Sequence, residues 1–139
     1  MKQVTVLAFA LTLSVATAVQ ADSLTIERGY YVRSDTSCQQ ASNATVTLFN
    51  GISFGRAHIE CRRPGVRKKP DGSYQITEQC RDMQGPGGPW TAFITSYAVL
   101  SRTEFISTTL FEKAAYRYCK QSDLPDPWST VDLSSLGVR

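Results

Sequence analysis

The chain has 139 residues, 42% of them hydrophobic and 19% charged, and a formal net charge of +3. That length suits one domain large enough for a core and small enough to profit from crosslinks. So mild a charge does not mark a nucleic-acid-binding face, which needs a strongly basic domain.

The first predicted element is a cleavable signal peptide over residues 1–21. Lys2 gives a positive start, Val4 to Val19 carries no charge, and Val19-Gln20-Ala21 places small side chains where a signal peptidase reads, before Asp22. A membrane anchor fits less well, because the apolar run is shorter than the ~20 residues a spanning helix needs and Thr5, Thr12, Ser14 and Thr17 dilute it. No Cys follows the predicted cleavage site, so a lipid anchor is not indicated, and no span remains after cleavage. Losing Lys2 takes the net charge from +3 to +2. The predicted mature chain divides into a disulfide-stapled β domain over 22–122 and a loosely ordered tail over 123–139.

Leu24, Ile26 and Gly29-Tyr30-Tyr31-Val32 open the domain as β-prone sequence. Ser34 to Asn43 is polar, and Thr36-Ser37-Cys38-Gln39 fits a capping box, predicting one or two helical turns. Thr45 to Phe49 alternates as a strand, and Asn50-Gly51 signals a hairpin whose returning partner runs from Ile52 to Cys61, with a bulge near Gly55. Residues 62–72 read as a basic connection ending in a Pro70-Asp71-Gly72 turn. Ser73 to Cys80 resumes alternation, with Tyr74, Ile76 and Glu78 on one face and Gln75, Thr77 and Gln79 on the other. Gln84 to Pro89 is rich in Gly and Pro and excludes regular structure. Trp90 to Leu100 is the longest predicted strand, turned by Ser101-Arg102 into a return over Thr103 to Phe111. Glu112 to Lys120 fits both periods, with strand favoured in its second half. Six or so short strands with Gly/Pro turns predict a mainly β fold, an antiparallel small barrel or sandwich with a short helical turn near its start.

An even cysteine count in an exported chain reads as two disulfides, and the gaps of 23, 19 and 39 residues do not fit closely spaced metal ligands. No metal or cofactor is expected. If the turn centres on Pro70-Asp71, Cys61 and Cys80 lie opposite each other, leaving Cys38–Cys119. An open loop over 62–72 would instead allow Cys38–Cys61 with Cys80–Cys119.

Arg62, Arg63, Arg67, Lys68 and Lys69 could meet lipid phosphates, lipopolysaccharide, acidic glycans or an acidic protein. The plainer reading is a solvated hairpin whose charges discourage edge pairing. No aromatic residue is interleaved for base stacking, so nucleic acid is not an expected partner. His58 is the single histidine, and Glu60, two residues on along the same predicted strand face, is the partner a general base would need, although a lone histidine on a strand is usually structural. Glu60 and Glu78 fall near one another in the predicted hairpin, where Arg62, Arg63 and Arg81 favour ion pairs over glycosidase chemistry. Trp90, beside the Gly/Pro loop, is a candidate contact residue, and Trp128 is expected to be partly exposed.

Gly29-Tyr30-Tyr31-Val32 with Cys38, Phe49-Asn50-Gly51, Tyr116-Arg117-Tyr118-Cys119 and Leu124-Pro125-Asp126-Pro127-Trp128 resemble small uncharacterised periplasmic proteins of proteobacteria. The resemblance spans most of the mature chain and implies a compartment and a β fold, with no activity attached. Small periplasmic lysozyme inhibitors share the size, export and stapled barrel, without a matching motif. The expected function is a non-enzymatic periplasmic binding or inhibitor-like module. Residues 62–69 and the loop 85–89 with Trp90 would contact a protein or anionic envelope component. The alternatives are a small hydrolase using His58 and a carboxylate, and a structural envelope protein.

Overall fold

The computed structural model describes residues 22–138, so the predicted signal peptide lies outside the described residues. Eight antiparallel strands form one sheet: β1 (Gly29–Arg33), β2 (Val46–Phe49), β3 (Phe54–Gly55), β4 (Ile59–Lys68), β5 (Tyr74–Asp82), β6 (Thr91–Ser101), β7 (Glu104–Thr108) and β8 (Lys113–Cys119). Their order is β3-β2-β1-β8-β7-β6-β5-β4, and the two outermost strands are joined through an Arg56–Ile59 bridge, so the sheet curls into a nearly closed barrel. Both predicted crosslinks are present: Cys38–Cys119 ties the first turn to β8, and Cys61–Cys80 joins β4 to β5.

Tyr31, Phe49, Phe54, Tyr74, Ile76, Tyr97 and Phe105 fill the interior, with Leu24 and Ile26 packed against them. Phe54 stacks on Tyr97 with ring centroids 4.6 Å apart, and Phe105 stacks on Tyr116 at 5.2 Å. Fully burying one such ring contributes about 1.5–3 kcal/mol. A second cluster lies outside the barrel, where Tyr30, Val32, Val46, Cys119 and Leu124 are covered by Ala41, Cys38, Trp128 and Leu133. β1 is therefore buried on both faces, which explains why Gly29 to Val32 shows no polar alternation.

Several local expectations change. The predicted strand over 52–61 breaks into β3 and β4, because the Arg56–Ile59 turn holds His58 at φ +61°. Asn50 starts a longer hairpin loop than Asn-Gly implies, its side chain accepting from the Ile52 and Ser53 amides at 2.9 Å. The capping box does not form. Ser37 caps a single 3-10 turn, Cys38–Gln40, without a side-chain bond to the backbone, its hydroxyl bonding the Gln40 side chain instead. The expected basic connection is mostly strand β4, since the turn shrinks to the Lys69–Ser73 reverse. That turn closes with Lys68 opposite Tyr74, one position later than Pro70-Asp71 predicts, and a bulge between Arg62 and Gly65 absorbs the extra residue. Cys61 and Cys80 face each other because the two offsets cancel. All of Lys113–Cys119 is strand, held by β7 on one side and β1 on the other. The polar end of the chain packs down: Leu124 is buried, and the Gln121 amide donates to the Trp128 and Val131 carbonyls.

Candidate functional site

The sheet does not keep eight strands along its whole length. β6 pairs with β5 from Tyr97 back to Thr91, yet with β7 only from Ser96 onward, so Thr91–Thr95 have a neighbour on one side alone. The first half of β4, the second half of β5 and the first half of β6 thus continue past the barrel as a three-stranded ribbon. The Cys61–Cys80 disulfide staples it. Residues 83–90 return under it: the Met83 amide donates to the His58 carbonyl, and the Gly88 and Gln84 amides donate to the Asp82 carbonyl and carboxylate.

The inner face of this ribbon holds a cavity of about 360 Å³. Phe54, Ile59, Phe93 and Tyr97 supply aromatic and aliphatic wall, while Arg56, Glu78, Arg81 and Asp82 bring charge. Gly88 and Pro89 place the Gly/Pro loop at its lip. Glu78 follows Tyr74 and Ile76 on the inward face of β5, opposite the bulge in β4. Its Oε1 is buried without a hydrogen-bond partner among the described residues, and burial raises its pKa, partly offset by the charge of Arg56. The Tyr97 hydroxyl is pushed up to about 12, chiefly by burial. A Glu78 oxygen and both sulfurs of Cys61 and Cys80 lie within 4.8 Å of one another, but the sulfurs are bonded together and offer no thiolate to a metal.

The basic residues singled out in the sequence are dispersed along β4 and its turn. Arg62 lies over the Trp90 ring at 3.8 Å, and Arg81 lies 4.6 Å from the same ring. Arg81 is also held by Glu60 at 2.6 Å. Trp90 is therefore half-buried among guanidinium groups, and Arg62 and Trp90 do come together. Arg63 lies in β4, in the bulged stretch. At the far end of the strand, roughly 20 Å along at ~3.3 Å per residue, Arg67 donates to Gln75 and Lys69 to Ser96, and the Lys68 ammonium lies 5.7 Å from the Tyr74 ring. The Asp22 carboxylate accepts from the Lys68 amide.

His58 is exposed on its turn and does not line the cavity. Glu60, next in sequence to the inward Cys61, faces Arg81 across the hairpin, whereas Glu78 lines the cavity. The sheet separates the two carboxylates that the sequence places near each other. A second apolar feature stands beside the ribbon: Leu110 and Phe111, at the β7–β8 tip, are 93% and 89% exposed and flank a groove with Phe93 and Ile94.

Arg56, Phe93, Thr95 and Tyr97 are site residues that sequence reasoning did not single out, and Glu78 was weighed there only as a neighbour of Glu60. One signal was present, an acidic residue continuing the apolar face of Tyr74 and Ile76. Comparison with known protein families, curated proteins and solved structures finds no match to this chain.

Proposed function

We propose that the chain, once residues 1–21 are removed, is a non-enzymatic binding module of the periplasm or cell envelope that takes its ligand in the ribbon cavity. The observation that carries this reading is the cavity itself: concave, walled by Phe54, Phe93 and Tyr97, and holding one buried carboxylate oxygen without a partner among the described residues. Ligand sites have this composition, mostly apolar wall with a few polar groups that fix orientation. The export signal and two disulfides support a compartment outside the cytoplasm. Among the described residues no helix is long and apolar enough to cross a membrane.

The basic segment has less support as a contact surface, since Arg62, Arg67 and Lys69 already bond neighbouring side chains or stack on Trp90. The hydrolase reading has less support, since Arg81 pairs with Glu60 and His58 does not line the cavity. Contact with a protein retains one specific observation, the exposed Leu110–Phe111 tip.

N-phenyl-1-naphthylamine, a neutral fluorophore that brightens in apolar surroundings, tests the cavity. Wild type should show a single saturable site that Thr91→Trp blocks and Phe93→Ala weakens, with both variants still melting cooperatively. Absence of saturation, or equal binding by all three proteins, would overturn the reading.

A further inference from the structure

The cavity wall carries four charged side chains, Arg56, Glu78, Arg81 and Asp82. Arg81 is held by Glu60, and the Asp82 carboxylate accepts from the Gln84 amide, which leaves Arg56 and Glu78 as two opposite charges that do not meet. Glu78 presents a buried Oε1 that has no hydrogen-bond partner among the described residues. Arg56, on the turn leaving β3, lines the same cavity, and among the described residues it forms no ion pair within 4.0 Å and no side-chain hydrogen bond. Arg56 is itself exposed, and its charge partly offsets the effect of burial on the pKa values of Glu78, Tyr97 and Tyr116. The strand beside Glu78 is loosened by the β4 bulge, which contains Pro64, a residue with no amide hydrogen to give. Bulges of this kind re-aim side chains next to binding sites. A carboxylate taken from water without a partner is costly, and that cost is recovered when a ligand supplies the missing donor.

The requirements on that ligand follow from the wall. A lone amine would satisfy Glu78 while facing the charge of Arg56, and a lone acid would satisfy Arg56 while facing Glu78. Phe54, Ile59, Phe93 and Tyr97 line the same cavity and require an apolar body, and about 360 Å³ lies at the small end of ligand pockets. We infer that the cavity takes a small amphipathic zwitterion, whose ammonium donates to Glu78, whose carboxylate or phosphate accepts from Arg56, and whose apolar body packs against Phe93 and Tyr97. The inference rests on the cavity being a binding site, as proposed above. Free apolar amino acids and the phosphoethanolamine headgroup of a lipid share this chemistry.

Calorimetric titration of the oxidised mature chain distinguishes these sources and tests the class. The probes are L-phenylalanine, its single-charge analogues 2-phenylethylamine and 3-phenylpropionate, monomeric dihexanoylphosphatidylethanolamine and the corresponding phosphatidic acid. One zwitterion should saturate, and its analogues lacking a charge should bind roughly ten- to a hundredfold more weakly, the range for a hydrogen bond to a charged group. Glu78→Gln and Arg56→Gln should each weaken that zwitterion by a similar factor. Binding of L-phenylalanine would name an amino acid as the source, and binding of the lipid alone would name a headgroup. Equal affinity for single-charge analogues, or undiminished binding by both variants, would overturn the inference. If neither zwitterion saturates by about 10 mM while N-phenyl-1-naphthylamine still binds, the ligand class falls and the binding module stands. If the fluorophore also fails, both fall.

Discussion

Around Phe105 all eight strands contribute to a filled interior, with Tyr31, Phe54, Tyr97 and Tyr116 rings within 5.6 Å of the Phe105 ring. In the ribbon only β4, β5 and β6 continue, and the space that β7 and β8 would have filled is left as a cavity. The same strands serve both regions, yet packing holds one and a disulfide holds the other. An interior that is full specifies the fold, and an interior relieved of that duty is free to carry an unpartnered carboxylate.

Phe105→Ala strikes the filled region and should show the largest effect, a loss of about 3–5 kcal/mol in denaturant unfolding. A loss below 1 kcal/mol would mean that this end is not the core. Replacing Cys61 and Cys80 together by Ser should cost about 3 kcal/mol on the chain-entropy account. Amide exchange should accelerate first at 59–62, 79–82 and 91–93, and fluorophore binding should weaken. Uniform acceleration along the sheet would deny that the ribbon is a separate region.

Glu78 gives a smaller effect with a defined sign. Burial raises its pKa in the folded state, so the folded chain binds more protons than the unfolded chain between the ordinary glutamate value and the raised one. Stability from this group is present in acid and falls as pH rises through that window. Glu78→Gln should therefore melt above wild type at pH 7, with the gap closing toward pH 4, even as it loses zwitterion binding. A lower melting point at neutral pH would show that the carboxylate is a structural partner. The smallest effect belongs to the basic end, where changing Arg67, Lys68 and Lys69 to Ala should alter stability by about 0.5 kcal/mol or less. Fluorophore binding should be unchanged at every salt concentration. A salt-dependent loss would return attention to that segment.

The strands and the crosslinks were legible because alternation and opposition are local. Tyr74, Ile76 and Glu78 announce an inward face, and a hairpin near Pro70-Asp71 is enough to bring Cys61 to Cys80. The break at Arg56–Ile59 was not, because His58 adopts positive φ without any glycine to mark it. The basic run read as one patch because sequence distance hides that a strand spreads it along β4 and that Trp90 captures Arg62. The cavity depends on where β7 stops relative to β6, a register that only long-range pairing decides. Leu124 and Trp128 illustrate the same limit: the composition around them is polar, yet the outer face of β1 gives them a surface to cover.

The most direct test of the central claim is a two-dimensional amide NMR titration of residues 22–139 with N-phenyl-1-naphthylamine. Saturable shifts confined to residues around Phe54–Cys61, Glu78–Asp82 and Gly88–Tyr97 are the predicted result. Shifts centred on Thr108–Phe111, or none that saturate, would contradict it.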